Sequence, residues 1–153
     1  FMIVYRITTA KWASRLAASG YPARWNPRNV YVIYTAGSRA LACLENLVHR
    51  SGEGLHANFR IVEISIHDSV SIEKISVTDL PLKWNLITGY PACQEIGKEW
   101  VNNQSSCVLR VPSSIIEDEF NFLINPFHPE FNLISIRNIQ EFTFDERLKS
   151  ITD

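Results

Sequence analysis

The chain carries almost no net charge: 15 Lys and Arg stand against 16 Asp and Glu, a formal −1 over 153 residues. Without a basic surplus it lacks the electrostatic footprint of a general nucleic-acid binder, so no direct nucleic-acid contact is expected. Cysteine is scarce too. Cys43, Cys93 and Cys107 are odd in number and form no CxxC pair, which argues against a disulfide framework and against a structural zinc site. A reducing, cytoplasmic compartment is the simplest setting. No apolar run approaches the ~20 residues of a membrane helix. No basic segment leading into an apolar stretch marks an export signal, and Met2 reads as an initiator with Phe1 added ahead of it. No GxGxxG or GxxxxGK[ST] occurs, which disfavours a Rossmann fold or a P-loop. The four histidines, His49, His56, His67 and His128, contain no HExxH and no i,i+4 pair, so no metal is expected.

What is present suits one globular domain, expected over 2–153. The composition is 46% hydrophobic and 20% charged, enough to build a core and too little charge for a disordered chain. Strands are expected at Met2 to Ile7, Val30 to Thr35 (apolar throughout and so central), Phe59 to Ile66 (alternating and so half-exposed), Ser71 to Ser76, Ser106 to Val111, Phe120 to Ile124 and Leu133 to Ile139. Helices are expected from Ala10 to Ser19, with Trp12 and Leu16 inward and Gly20 as the stop; from Arg39 to Arg50, with Leu41, Leu44 and Val48 inward and Ser51-Gly52 ending it; and from Pro91 to Asn102. The mixture predicts an α+β (mixed α/β) fold without regular βαβ alternation.

Several residues invite a chemical reading, each with a plainer one beside it. Arg24-Trp25-Asn26 sits in a loop between Pro22 and Pro27. A guanidinium there suits a phosphate, since it donates two parallel hydrogen bonds; a surface arginine beside a core tryptophan is the plain alternative. Glu45 lies at the edge of the second helix's apolar stripe. It is either a snorkelling surface group or a carboxylate facing a cleft, where it can hold a sugar hydroxyl or stabilise a developing cation. Tyr34 ends a strand; its ring can stack on a flat ligand while its hydroxyl bonds to it, or it can be a core tyrosine. Ser113 follows Val111-Pro112 at a strand end without a GxSxG, so it reads as a turn residue and not as a nucleophile. Cys43 reads as buried, and Glu117-Asp118-Glu119 as a solvated turn.

Taken in order, Tyr5-Arg6, Arg24-Trp25-Asn26, Tyr34, Ala40-Leu41 leading to Glu45, Val111-Pro112-Ser113, Asn125-Pro126-Phe127-His128 and Phe144-Asp145-Glu146-Arg147-Leu148 resemble the RES-domain family, named for an Arg, a Glu and a Ser. The set spans nearly the whole chain. One departure is Pro22-Ala23 where the family has two glycines, which bears on the pose of Arg24. The resemblance implies an ADP-ribosyltransferase-like fold and the toxin half of an Xre–RES toxin–antitoxin pair. It implies that NAD is consumed by cleavage of its nicotinamide–ribosyl bond, with water or phosphate as acceptor. A protein ADP-ribosyltransferase is the alternative, and a non-catalytic interaction module a second. The implied roles are pyrophosphate or ribose contacts from Arg6 and Arg24, stacking from Tyr34, stabilisation of positive charge by Glu45, and positioning of the nicotinamide ribose by Ser113, with His128 as a more remote support. The implied partner is an Xre-type antitoxin covering the site; self-association is left open.

Overall fold

A computed structural model describes residues 1–49, 54 and 57–148. Among them, seven strands form one sheet: β1 (Met2–Thr9), β2 (Ile33–Ala36), β3 (Phe59–Ile66), β4 (Ile72–Lys74), β5 (Val108–Pro112), β6 (Phe120–Ile124) and β7 (Ile134–Phe142). Their order is β4-β5-β6-β2-β1-β3-β7, and every pair is antiparallel except β4 with β5. The helices are α1 (Ala10–Ala13), α2 (Arg39–His49) and α3 (Tyr90–Asn103). This is the expected α+β class, and β2 is the central strand.

Strand alternation decides what lies on each face. Tyr5 stands opposite Ala36, Ala36 opposite Asn121, and Tyr34 opposite Leu123, so these side chains share one face. Both long helices cover that face. α2 packs Leu41, Ala42 and Leu47 on Ile7, Ala36, Phe59 and Ile61. α3 brings Cys93 and Trp100 to Leu109, Val111 and Leu123. The other face carries Val4, Ile33, Val62, Ile64, Val108 and Ile124, with Ala13 and Leu16 packed against them. β3 is therefore not half-exposed, as its alternation suggests. Its first half buries Phe59 and Ile61 beneath α2, and its second half buries Val62, Ile64 and Ile66 on the opposite face.

The first helix is much shorter than its Thr-Thr start and Gly20 stop imply. It ends at Ala13, and Trp12 is 46% exposed while Ala13 is the buried residue. The physical reason lies downstream: the Ala17 carbonyl accepts a hydrogen bond from Arg6 Nη1 (3.2 Å), so the chain over 14–19 follows the arginine and not a helical ladder. Gly20 holds φ +77°, and a side chain there would meet the Tyr31 ring at 2.7 Å. β2 starts three residues later than expected because Val30 still belongs to the loop, its carbonyl accepting from Asn26. In α2 the inward face is also turned from the one expected. Leu41 is buried and Leu44 packs on the core, but Val48 is 56% exposed and Leu47 takes its place. Cys43 is half-buried; Cys93 and Cys107 are buried free thiols. The expected helix stop at Ser51-Gly52, and His56, lie outside the described residues.

Candidate active site

β1 and β2 meet only at Tyr5 and Ala36, whereas β1 pairs with β3 over its full length. Beyond that single ladder pair the two central strands are not bonded to each other, and a cleft of about 270 Å³ is lined by both of them. Tyr5, Arg6 and Ile7 of β1 form one side, Tyr34, Thr35 and Ala36 of β2 the other. The 23–25 segment, one stripe of α2, Ser114 and Asn121 complete the walls. The α2 stripe is Ala42, Glu45, Asn46 and His49, a spacing of i, i+3, i+4 and i+7 that defines one helical face. Asn46 Nδ2 donates to the Ile7 carbonyl (3.1 Å) and Asn121 Nδ2 to the Thr35 carbonyl (3.3 Å), so side-chain amides cap carbonyls of both strands.

Glu45 is held at both oxygens. Ser113 Oγ donates to Oε1 (3.3 Å), and His49 Nε2 lies 3.2 Å from Oε2. Ser113 Oγ also accepts from the backbone N–H groups of Ile115 and Ile116, both at 3.1 Å, which directs its own hydrogen toward the carboxylate. The side chain of Glu45 is 20% exposed, so it faces a cleft and does not snorkel into bulk water. Ser113 itself is buried behind Glu45, and its neighbour Ser114 is the serine on the cleft wall.

Arg24 is buried in the opposite wall. Its Nη1 donates to the Trp84 (2.6 Å) and Leu86 (3.1 Å) carbonyls and its Nη2 to Asn85 (3.0 Å), while Nε has no partner. The guanidinium also stacks 4.5 Å from the Tyr90 ring. It therefore clasps the 84–86 segment, an attachment invisible from the loop sequence. Arg6 leaves β1 on the face opposite Tyr5 and contributes to the cleft. Burial lowers its pKa below the ordinary arginine value. Among the described residues, neither arginine has a carboxylate within ion-pair distance.

Tyr34 lines the cleft, but its hydroxyl does not reach into it. The hydroxyl donates to Asn26 Oδ1 (2.5 Å) and accepts from the Trp25 N–H (3.1 Å), and burial pushes its pKa well above the usual phenol range. Asn26 in turn donates to the Tyr21, Pro27 and Val30 carbonyls. Tyr34 and Asn26 thus form the peg and socket that hold the Arg24-Trp25-Asn26 loop against the sheet. From behind, α3 meets this loop: Gln94 Nε2 donates to the Ala23 carbonyl, and Gly97 lets the helix approach the Trp25 backbone.

The structure thus brings Arg6, Arg24, Tyr34 and Glu45 to one cleft, with Ser113 directly behind it. His128 belongs elsewhere. Its Nδ1 accepts from the Glu130 N–H and its Nε2 bonds to the Gln104 carbonyl, tying two loops together. Cys107, His128 and Glu130 present ligand atoms within 4.8 Å of one another. Their chemistry fits a metal poorly: both histidine nitrogens are spent, Glu130 accepts twice from Ser71, and burial pushes the Cys107 thiol up to about 12. Sequence reasoning missed Asn46, His49, Ser114 and Asn121. The helical spacing from Glu45 was the available signal for the first two. Glu117, Asp118 and Glu119 are exposed, as a solvated turn should be. Among the described residues, no helix is long and apolar enough to cross a membrane.

The chain is similar to known proteins. The RES domain matches residues 3–145. The Prs ADP-ribosylating toxin of Sphingobium sp. (strain YBL2) is 39% identical over 127 residues, covering 82% of this chain and 79% of that protein. Toxin Res of Yersinia enterocolitica is 35% identical over 154 residues, covering 97% of this chain and all of that protein. Among solved structures, the M. tuberculosis MbcT–MbcA toxin–antitoxin complex contains a chain of the same fold, with a TM-score of 0.77 at 18% identity, covering 93% of this chain and 84% of that one. A family match over nearly the full length, with relatives above 30% identity across most of it, leads to one conclusion: this chain belongs to the RES domain family.

Proposed function

We propose that this protein is the toxin of a toxin–antitoxin pair, that it binds NAD in the β1–β2 cleft, and that it breaks the bond between nicotinamide and ribose. The observation that carries the reading is the charge layout of the cleft. Two arginines without acidic partners, Arg6 and Arg24, line it together with a carboxylate, Glu45, tethered at both oxygens. Cations taken from water without a counter-ion are costly, and an anionic ligand such as a pyrophosphate offsets that cost. The name of the Sphingobium relative, an ADP-ribosylating toxin, supports NAD as the substrate.

Bond cleavage follows from the same layout. As the C–N bond stretches, its electron pair moves onto the nicotinamide nitrogen and the ribose gains oxocarbenium character. The Glu45 carboxylate stabilises that positive charge, and because Ser113 and His49 already hold it, little reorganisation accompanies the step. Water or phosphate then bonds to the anomeric carbon and loses a proton to solvent. Arg24 contributes by orienting the cleft wall through the 84–86 segment, and Tyr34 offers the face of its ring. A cleft of about 270 Å³ lies at the small end of ligand pockets, so it suits the nicotinamide riboside half of NAD, with the adenosine half outside.

Transfer of ADP-ribose to a protein is the second reading, favoured by the name of the Sphingobium relative. An antitoxin of the Xre type is the proposed partner, supported by the fold shared with a toxin solved in an antitoxin complex, and the cytoplasm is the proposed compartment. Nicotinamide release from NAD by the purified protein, with and without phosphate, tests the reaction. Free ADP-ribose or its 1-phosphate supports NAD breakdown. Label from NAD appearing on a discrete lysate protein, without free products, supports transfer instead. A folded protein that does neither overturns both readings.

A further inference from the structure

Among the described residues, His49 is the one histidine that lines the cleft, and it touches the carboxylate on which the proposed reaction depends. Its Nε2 lies 3.2 Å from Glu45 Oε2, one helical turn along α2, and its side chain is 42% exposed at the cleft rim. Ser113 already donates to the other oxygen, so His49 completes the hold on the carboxylate. A neutral imidazole does this with Nε2–H as donor and leaves the carboxylate its full negative charge. An imidazolium makes the same hydrogen bond but neutralises that charge.

We propose that His49 is a positioning residue that also sets the charge Glu45 presents to the ribose, so that acid switches the site off. This rests on the reading of Glu45 as the group that stabilises the developing cation. Protonation of His49 turns Glu45 from a free anion into half of an ion pair and withdraws stabilisation from the transition state. No bond to His49 forms or breaks in the reaction; the proton it takes up comes from solvent. Among the described residues, the other titratable or charged groups facing the pair do not replace it. From β1 they are Tyr5 and Arg6, from the 23–25 segment Arg24, and from β2 Tyr34, whose hydroxyl is spent on Asn26. The 113–116 turn offers only serine hydroxyls to the carboxylate. On α2 itself, Arg39 is paired with Glu63.

The test is the pH profile of nicotinamide release from NAD between about pH 5.5 and about pH 8.5, for the intact chain, His49→Gln and His49→Lys. Turnover of the unaltered protein should fall about tenfold per pH unit on the acid side, as one protonation demands. His49→Gln should lose several-fold in kcat at the alkaline end, where one hold on Glu45 is weakened, and should vary less than about twofold across the range. His49→Lys, cationic throughout, should stay at least about tenfold below the unaltered protein at pH 8.5 with KM little changed. An acid limb that persists in His49→Gln, or His49→Lys at full turnover, overturns the proposal while leaving the proposed reaction standing. Absence of nicotinamide release from the unaltered folded protein at every pH counts against the reaction itself.

Discussion

The Tyr34 hydroxyl donates to Asn26 Oδ1 at 2.5 Å and accepts from the Trp25 N–H, so a strand residue and a loop residue lock together at the cleft wall. Tyr34→Phe keeps the ring but strands one buried acceptor and one backbone donor. Stability should fall by about 1–3 kcal/mol, read as a lower urea midpoint with an unchanged slope. NAD turnover should fall as well, because the loop carrying Arg24 loses its anchor. A variant as stable as the parent would show that water replaces the hydroxyl without cost.

Glu45→Gln keeps the size of the side chain and can still meet Ser113, but it removes the negative charge. Nicotinamide release should drop about a hundredfold or more with the thermal midpoint nearly unchanged. Near-normal turnover by this variant removes Glu45 from the mechanism.

Arg6 supplies a prediction of opposite signs. Its guanidinium is desolvated and bonds only to the Ala17 carbonyl among the described residues. Arg6→Met, similar in length and apolar, should be neutral or stabilising by about 1 kcal/mol while raising KM for NAD tenfold or more. Loss of stability together with unchanged KM would instead mark Arg6 as a structural clamp for the 14–19 segment.

Gly97 faces the loop from behind. A methyl group there would stand 1.7 Å from the Trp25 carbonyl oxygen, against backbone and not a movable side chain. Gly97→Ala should push α3 from the Arg24-Trp25-Asn26 loop and cost about 3 kcal/mol. Chemical denaturation measures this directly, and a neutral result would mean that the helix shifts freely.

Cys107 makes stability sensitive to alkali. Burial, with a smaller contribution from the charge on Glu130, raises its thiol from 9.0 to about 12 in the fold. A raised acid favours the neutral form, so the stabilisation is complete below about pH 9 and is lost as pH climbs toward about 12. The thermal midpoint should fall between about pH 8 and about pH 10.5, and Cys107→Ala should fall less. Equal slopes for the two proteins would refute the assignment.

Local chemistry was readable in the chain itself. Phe59–Ile66 and Phe120–Ile124 occur where alternation and β-branched residues place strands, and α2 and α3 begin near the predicted positions. Pro91 in the first turn of α3 is a signal that depends on φ alone. The position of Glu45 at the edge of the α2 stripe also survived, because it follows from 3.6 residues per turn.

What local order could not specify is who meets whom across long separations. The Arg24 clasp joins residues 60 to 62 positions apart, and the Ser113–Glu45 bond spans 68. After α1 ends at Ala13, the chain turns its Ala17 carbonyl to the half-buried Arg6, a contact that the local helix signals do not encode. The residue types at the site were therefore determined by the sequence alone: two arginines, a tyrosine, a glutamate and a serine. Only the tertiary structure decided that Arg24 spends its donors on a loop, that the Tyr34 hydroxyl turns away from the cleft, and that His49 stands against Glu45. Burial and hydrogen-bond partnership are properties of the packed sheet and helices, and no single segment carries them.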